Sequence, residues 1–264
     1  MYAFRESGSI LKGAPSYMKK LLTFCLALCM LFSAVPSLAQ EDDPLSKFAV
    51  RNGSRGEKRI AITVDDSFDL DYTWKIRDLL HDLGVVGTFF PIGKQIHPED
   101  GPEWQKILDY GSEIGSHNMG HYKMGNSDAW SIISALGRYQ QALDAALGYH
   151  YQVHCFRPPY GNITNDQGKT DTFRRAVLKF GYEHVILWDV SQTDPDKAYR
   201  QVQNGSILLY HARHKDYVCL QTLIPRLLED GYELVTVSQL LGFGENEISP
   251  EPYVYNKADY EKKN

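Results

Sequence analysis

A regular alternation of short apolar runs with amphipathic segments is the feature that most restricts the fold of this chain. From Arg59 onward, runs such as "RIAITV" and "SILLYH" are each followed by a stretch with helical spacing, such as "YTWKIRDLLHDLG". About seven strands, each followed by a helix, are predicted in this way, which indicates a parallel sheet with right-handed crossovers. An open doubly wound sheet and a closed barrel both fit this α/β pattern.

The N-terminal region has the features of an export signal. "MKKLLTFCLALCMLFSAVPSLAQ" starts at Met18 with two lysines, continues with an apolar stretch and reaches the small-x-small sequence "SLA". We therefore expect a signal peptide over 18–39, cut after Ala39, and an upstream segment 1–17 that need not be translated. An uncleaved membrane anchor is the alternative, although the apolar stretch is marginal against the roughly 20 residues that a span needs.

Composition divides the rest of the chain and excludes some partners. We expect a polar linker over 40–58, one domain over 59–242 and a polar, loosely packed tail over 243–264. The net charge of −5 argues against a nucleic-acid surface, and no glycine-rich phosphate loop opens a helix. Cys155 and Cys219 form no CxxC pair. Export would permit a disulfide between them, but we favour two free, buried thiols.

Polar side chains follow five of the predicted strands. In parallel α/β folds the ligand site lies at the carboxyl ends of the strands, so these clusters are expected to converge. Each cluster alone has a plainer explanation, such as a capping aspartate, a rigid Pro-Pro turn or a surface histidine, and their shared position at the strand ends carries the inference. The clusters are Asp65 and Asp66, His117 and His121 in "HNMGH", "RPPYG" over 157–161, "WDVSQTD" over 188–194, and His211.

The residue types indicate metal-assisted hydrolysis of an amide or ester. Zn²⁺ prefers His nitrogen and carboxylate oxygen, and two histidines at i and i+4 can reach one ion. His117, His121 and one of the two aspartates would form the ligand set, and the other aspartate is left free as a general base. His211, across the site, has a suitable reference pKa of about 6.5 for a general acid, which a carboxylate such as Asp194 would raise.

These motifs resemble those of the polysaccharide deacetylases, the NodB-homology or carbohydrate esterase family 4 domain, over roughly 59–241. The resemblance rests on "TVDDS", "HNMGH", "RPPYG", "SQTDP" and "LYH", which follow the family order. It implies a distorted (β/α)7 barrel that binds Zn²⁺ or another divalent ion such as Co²⁺. The implied metal ligands are Asp66, His117 and His121.

The resemblance also assigns the acid–base groups. Asp65 would be the general base, held by Arg157, and the backbone N–H of Tyr160 would help to bind the oxyanion. His211 would be the general acid, tuned by Asp194. The implied protein is a secreted or cell-envelope monomer that removes N- or O-acetyl groups from peptidoglycan, chitin-like chains or xylan, without a nucleic-acid or further membrane partner.

Four departures from the family motifs place the substrate in question. Ser67 replaces a glycine, Asn118 replaces a hydroxyl residue, and Ser191 and Pro195 replace the Asp and Trp of the fourth motif. Two alternatives therefore stay open: a carbohydrate-binding protein with little or no activity, and a hydrolase of non-sugar amides or imides. Exposed aromatics near the strand ends could stack on sugars, namely Tyr72, Tyr122 and Tyr160, whereas Trp74 is expected to pack in the core.

Overall fold

The predicted alternation of strands and helices is present in the computed structural model, which describes residues 47–261. The strands are β1 Ala49–Val50, β2 Arg59–Asp66, β3 Thr88–Pro91, β4 Glu113–Ile114, β5 His150–Tyr151, β6 Val185–Ile186, β7 Ile207–His211, β8 Glu233–Leu234 and β9 Ile248–Ser249. The α-helices are α1 Leu70–Asp82, α2 Gly101–Asp109, α3 Ala129–Leu147, α4 Asp171–Phe180, α5 Pro195–Gln201, α6 His214–Glu229, α7 Val237–Leu241 and α8 Ala258–Glu261. Short 3₁₀ turns cover Gly93–Gln95, Pro98–Asp100 and Pro159–Gly161.

Strand β2 is the centre of a parallel sheet. It pairs with β3 on one side and with β7 on the other, β4 extends the sheet beyond β3, and β8 pairs with the first residues of β2. Every residue of β2 after Arg59 is buried, as expected for a strand covered on both faces.

The sheet closes into a distorted barrel through single bridges. Ser116, just after β4, bridges Phe156 in parallel, and the N–H of Ile186 in β6 donates to the Phe156 carbonyl at 2.8 Å. Val190 then bridges Leu208 of β7. The barrel is therefore the architecture, and the predicted strand "YQVHCF" contributes to it mainly through the bridge at Phe156.

The long helix α3 begins and ends as its sequence predicts. Asp128 caps its first turn by accepting from the N–H groups of Trp130 and Ser131, and Gly148 ends it in the left-handed conformation, with φ of 79°. The core beneath the helices includes Trp104, which contacts Trp74 edge to face at 4.8 Å between ring centroids. Trp74 is thus a packing residue, as expected.

The two segments that flank the predicted domain pack onto it. In the described part of the expected linker, Phe48 is buried, β1 pairs with β6, and Arg55 forms an ion pair with Asp189 at 2.7 Å. In the expected loose tail, β9 pairs with β5 and Tyr260 is buried. Both predictions are wrong for residues 47–58 and 243–261, because scattered apolar side chains in these polar segments find buried positions.

The predicted signal peptide, the upstream segment 1–17 and the start of the expected linker lie outside the described residues. Between residues 47 and 261, no helix has the length and apolarity to cross a membrane. Cys155 and Cys219 are free and buried, and they lie in separate apolar clusters. The prediction of free thiols is confirmed.

Candidate active site

The carboxyl ends of the barrel strands bring the predicted polar residues together. Asp65 and Asp66 end β2, and the pairing of β2 with β7 sets Asp65 directly beside His211. His117 follows β4, and Arg157 follows Phe156, which bridges the segment after β4. Because the strands are parallel, their ends share one edge, and residues far apart in the chain become neighbours there.

Backbone strain is concentrated at this edge. Within residues 47–261, the residues other than glycine with positive φ are Asp66 (75°), Ser67 (56°), Asn118 (68°) and Tyr160 (62°). Such conformations are costly outside glycine and collect at functional sites. Asn tolerates the left-handed region better than most residues. Asn118 also ties the loop down by donating from Nδ2 to the Gly120 carbonyl at 2.9 Å.

Asp66, His117 and His121 form a cluster that can hold a metal ion. Their ligand atoms lie within 4.8 Å of one another. Asp66 Oδ1 is 3.3 Å from the Nε2 atom of each histidine and is buried without a hydrogen-bond partner. A buried carboxylate oxygen without a donor is costly, so its position calls for a cation.

The tautomer of His117 strengthens this assignment. Its Nδ1 lies 2.8 Å from the Arg157 carbonyl, which can only accept, so Nδ1 carries the proton. The neutral ring then turns a lone pair of Nε2 toward Asp66 Oδ1. Two acceptor atoms facing each other need a cation between them or a second proton on the ring, and carbonyl-bound histidines of this kind are typical metal ligands.

The electrostatics of the cluster keep its members in ligand form. Burial alone would raise the pKa of Asp66, but its contact with the His117 ring and the nearby imidazoles of His211 and His121 outweigh the burial, so the pKa lies below its ordinary value. The pKa of His121 is lowered, chiefly by burial and against the attraction of Asp66. A carboxylate beside a neutral imidazole is the protonation state that binds a divalent ion.

Asp65 has a different environment from its neighbour. Its Oδ1 accepts from Arg157 Nη1 at 2.6 Å. Arg157 is fully buried and also donates to the Thr63 hydroxyl and to the carbonyls of Ile186 and Leu187. Asp65 Oδ2 faces the site instead, 3.9 Å from His117 Nε2. Oδ1 of Asp65 thus anchors the carboxylate to Arg157, and Oδ2 is free to accept a hydrogen bond in the site.

His211 lies on the opposite side of Asp66. Its Nε2 is 4.0 Å from Asp66 Oδ2, and its side chain is 29% exposed, so the ring can reach both the cluster and solvent. The buried carboxylate of Asp216 accepts from the backbone N–H of His211 at 3.1 Å. Its second oxygen has no partner among the described residues.

Asp194 is not brought to His211. It caps helix α5 by accepting from the N–H of Lys197 at 2.9 Å, and that hydrogen bond lowers its pKa. Its side chain is exposed, and no contact joins it to His211 in the described part of the chain. The carboxylate that contacts His211 is that of Asp216, which accepts from its backbone N–H, so the described contacts give no support to the expected pairing of Asp194 with the His211 ring.

Tyr160 lies on a tight turn at the rim. The turn is held by bonds from Gly161 N to the Pro158 carbonyl and from Asn162 N to the Pro159 carbonyl. The N–H of Tyr160 takes part in neither. Its ring is 58% exposed and lies 4.4 Å from the His121 ring between centroids.

Two residues near the metal-binding cluster, Phe68 and Arg213, were not identified from sequence. Phe68 is exposed beside His121, at 5.5 Å between ring centroids, and Arg213 Nη2 is 3.6 Å from Asp66 Oδ2. Trp188, the first residue of the predicted strand-end cluster over 188–194, lies against Gly161 and the Arg157 guanidinium. The available signal was their place one to three residues after a strand end. Of the expected sugar-stacking residues, Tyr122 is exposed, whereas Tyr72 Oη bonds His214 Nδ1 at 2.9 Å.

A parallel α/β barrel with a His-His-Asp cluster and an arginine-held aspartate at its rim defines a metal-dependent hydrolase. The family model described as "Polysaccharide deacetylase" matches residues 52–185. This protein belongs to the polysaccharide deacetylase family, carbohydrate esterase family 4.

Curated relatives agree with this membership. The chain is 32% identical to a peptidoglycan-N-acetylglucosamine deacetylase of Bacillus cereus over 71% of its own length and 90% of that protein. It is 27% identical, over 72% of its length, to the deacetylase PgdA of Listeria monocytogenes, of which it spans 40%. The region of similarity is therefore nearly the whole of one relative and less than half of the other.

Solved structures share the fold. A mutant of BA3943, a family 4 pseudoenzyme with restored activity, has a TM-score of 0.64 at 26% identity, covering 74% of this chain and 71% of that one. The Xyl-CE4 domain of a multidomain xylanase from the hindgut metagenome of Trinervitermes trinervoides has a TM-score of 0.60 at 26% identity, covering 70% and 89%. The deacetylase class and the barrel are thus established together.

Proposed function

We propose that this protein is an exported enzyme that removes N-acetyl groups from a cell-wall glycan, with peptidoglycan as its substrate. The proposal depends on the different contacts of two adjacent aspartates. Asp66 has an oxygen without a hydrogen-bond partner that faces two histidines, whereas Asp65 is hydrogen-bonded to Arg157. Relatives named as peptidoglycan deacetylases favour this substrate over other acetylated glycans.

The donor set fits Zn²⁺. Two imidazole nitrogens and one carboxylate oxygen are a ligand set of catalytic zinc sites, and Co²⁺ accepts the same donors. Asp66, His117 and His121 would hold the ion. When bound, it would supply Lewis acidity toward the acetyl oxygen and toward the attacking water.

Asp65 is proposed as the general base. Its Oδ1 is occupied by Arg157, which fixes the carboxylate plane, and its Oδ2 is available to accept a proton from water. Arg157 touches neither water nor substrate in this scheme and acts as a positioning residue. Its burial against Phe90, at 4.4 Å from guanidinium to ring, keeps the pair rigid.

His211 and Tyr160 complete the scheme on the leaving-group side. Nε2 of His211 would give a proton to the departing nitrogen, since an amine anion is a very poor leaving group. The Tyr160 N–H, unused by its own turn, would donate to the oxygen that becomes negative. Asp216 holds the His211 backbone in position.

A panel assay tests the proposal. Acetate release would be measured from peptidoglycan strands, acetylated chito-oligosaccharides, acetylated xylan and small cyclic imides, with and without added Zn²⁺ or Co²⁺. We expect metal-dependent release from peptidoglycan at the highest kcat/KM. Preference for xylan would indicate O-deacetylation, and turnover of imides alone would indicate a non-sugar hydrolase.

A solved relative and two sequence departures give reason to test a second candidate, a glycan-binding protein without activity. A neighbouring structure belongs to a protein called a pseudoenzyme, and Ser67 and Asn118 depart from the family motifs. Here every proposed metal and acid–base group is present at the rim, so we favour activity. One bound metal per chain with no acetate release from any glycan would identify the binding protein instead.

The place of action follows from the N-terminal sequence. We propose cleavage after Ala39 and release into the cell envelope, where peptidoglycan is available. N-terminal sequencing of exported protein should begin at Gln40, whereas retention of Met18 would indicate a membrane anchor.

A further inference from the structure

A groove of about 550 Å³ lies beside the metal-binding loop, outside the cluster itself. Met119 and Gly120, between the two ligand histidines, form one wall, and helix α3 forms another. The volume is within the range of ligand clefts. The remaining lining includes three aromatic residues and three cations: Tyr122, Trp130, Tyr255, Lys94, Arg138 and Lys257.

The charge of the groove is opposite to that of the protein. The chain carries a net charge of −5, yet no Asp or Glu is among the groove-lining residues. Lys94 and Arg138 are exposed, and neither has a carboxylate within ion-pair distance among residues 47–261. Lys257 pairs with Glu261 at 3.3 Å. Two cations without anions in a concave, aromatic site leave a place for an anionic ligand.

The groove is attached firmly to the metal-binding loop. The N–H of Lys94 donates to the Met119 carbonyl at 3.1 Å, and the N–H of Gly93 donates to the Asn118 carbonyl at 2.9 Å. Gly93 has no room for a side chain, because a Cβ there would lie 2.7 Å from the Met119 sulfur. A ligand in the groove would therefore be held at a fixed position relative to His117 and His121.

The C-terminal segment completes the groove. A Cβ on Gly137 of helix α3 would lie 2.1 Å from the Tyr255 ring, so this aromatic residue packs directly on the helix backbone. Tyr255 N also donates to Gln141 Oε1 at 3.2 Å. Lys257 Nζ lies 4.9 Å from the Trp130 ring centroid. Both tail residues lie beyond 52–185, the part matched by the family model.

We propose that this groove binds the carboxylates of an acidic N-acetylated glycan while one of its sugars is deacetylated at the metal cluster. Aromatic rings suit sugar faces, and unpaired cations suit carboxylates. Peptide-free glycan strands of peptidoglycan carry a free lactyl carboxylate on alternate sugars, which is bound in an amide where a peptide is attached, whereas chitin-like chains carry none. The inference rests on the proposed function and narrows its substrate to carboxylate-bearing chains.

Binding rather than turnover gives the decisive test. Asp65→Asn, expected to keep its metal, would be the parent protein so that the ligand is not consumed. Calorimetry would compare peptide-free peptidoglycan strands with neutral N-acetylglucosamine oligomers of equal length. In this background Lys94→Gln and Arg138→Gln should each weaken binding of the acidic strands by about tenfold, or about 1.4 kcal/mol, and leave the neutral oligomers unchanged. The preference should also shrink as salt rises.

Lys123→Gln is the matched control. Lys123 is exposed on the same loop and carries the same charge, but it does not line the groove. An equal loss in Lys123→Gln, or equal losses for acidic and neutral chains, would overturn the proposal. If the wild-type protein bound acidic strands in preference to neutral ones but released no acetate, the enzymatic function would be refuted and the groove assignment would stand.

Discussion

Two buried carboxylates lie at opposite ends of the barrel strands, and only one of them has its hydrogen bonds satisfied. Asp66, at the carboxyl end of β2, has an oxygen without a partner that faces two histidines. Glu113, at the start of β4, accepts from Thr88 Oγ1 at 2.9 Å and from both the N–H and the hydroxyl of Ser238. Buried polar groups normally have hydrogen-bond partners. The unpartnered oxygen of Asp66 therefore indicates a binding site, whereas the fully bonded Glu113 has a structural role.

The backbone conformation also differs between the two ends of the barrel. The four strained residues other than glycine that occur in residues 47–261 belong to the carboxyl-end loops. At the other end, Glu113 and Thr88 join two strands to the first turn of α7, because Val237 N donates to Thr88 Oγ1 at 2.8 Å. One end thus stores strain and unpaired atoms, and the other holds the strands and the last helix of the barrel together.

The largest effect is expected from Asp66→Ala. It removes one of three protein ligands, so metal content should fall from near one per chain to near zero, and acetate release should disappear with it. His117→Ala should behave in the same way. Because the imidazoles hold the pKa of Asp66 below its ordinary value and Arg213 Nη2 lies 3.6 Å from its Oδ2, the ionised carboxylate stabilises the fold, and the metal-free variant should be less stable than metal-free wild type. Metal by plasma emission, acetate release and thermal unfolding measure the three quantities.

Asp71→Ala is the control for that loss. Asp71 is an exposed carboxylate in the first turn of α1, close in sequence but not part of the cluster. It should keep metal and activity. If Asp66→Ala also kept its metal, the cluster would not be the ligand set.

A smaller effect, on rate alone, is expected from Asp65→Asn. The amide keeps the shape of the side chain but cannot accept a proton from water. The rate should fall by about 10²–10⁴-fold, the usual contribution of general base catalysis, while metal content stays near one per chain. Loss of metal to the same degree as in Asp66→Ala would mean that both acids are ligands.

At the opposite end, Glu113→Ala should change stability and not chemistry. It leaves the Thr88 hydroxyl and two donors of Ser238 buried without an acceptor, so the free energy of unfolding should fall by about 3 kcal/mol. Metal content and kcat should stay within about twofold of wild type, in line with a site outside the reacting groups. Urea unfolding beside acetate release tests this. If Glu113→Ala lost activity but unfolded cooperatively at the same urea concentration as wild type, Glu113 would serve the chemistry and not stability, and the two ends of the barrel would not differ in role.

The smallest effect is expected in the reactivity of Cys155, which lies beside Ser238, a hydrogen-bond partner of Glu113. Its Sγ lies 3.5 Å from Ser238 Oγ, and burial raises the pKa of the thiol well above its ordinary value. Native protein should therefore react with iodoacetamide only as fast as it opens. In Glu113→Ala the reaction should be faster, and in Asp65→Asn it should be unchanged. Mass spectrometry of the Cys155 peptide measures both rates, and an acceleration in Asp65→Asn would contradict the separation.

Most of the candidate site could be predicted from sequence because its residues follow strands. A strand of alternating or continuous apolar residues is visible locally, and its end fixes where Asp66, His117 and His211 must lie. Asp194 instead caps a helix, and a local signal for this existed, because Asp followed by Pro is typical of a helix cap and first helical position. Asp216 was missed because a residue inside a helix reveals a buried contact only through tertiary packing.

The sequence by itself determined the alternation of elements, the parallel α/β class and the set of chemical groups at the rim, because hydrophobic period and strand-end position are local properties. The choice of a barrel over an open sheet came only from the family resemblance. Tertiary structure alone decided that Asp65 binds Arg157 while Asp66 faces the histidines, that Asp216 contacts His211, and that Tyr255 and Lys257 join helix α3 around a cationic groove. Asp65 and Arg157, for example, are 92 positions apart in the chain. These pairings depend on strand register and barrel closure, which no local pattern encodes.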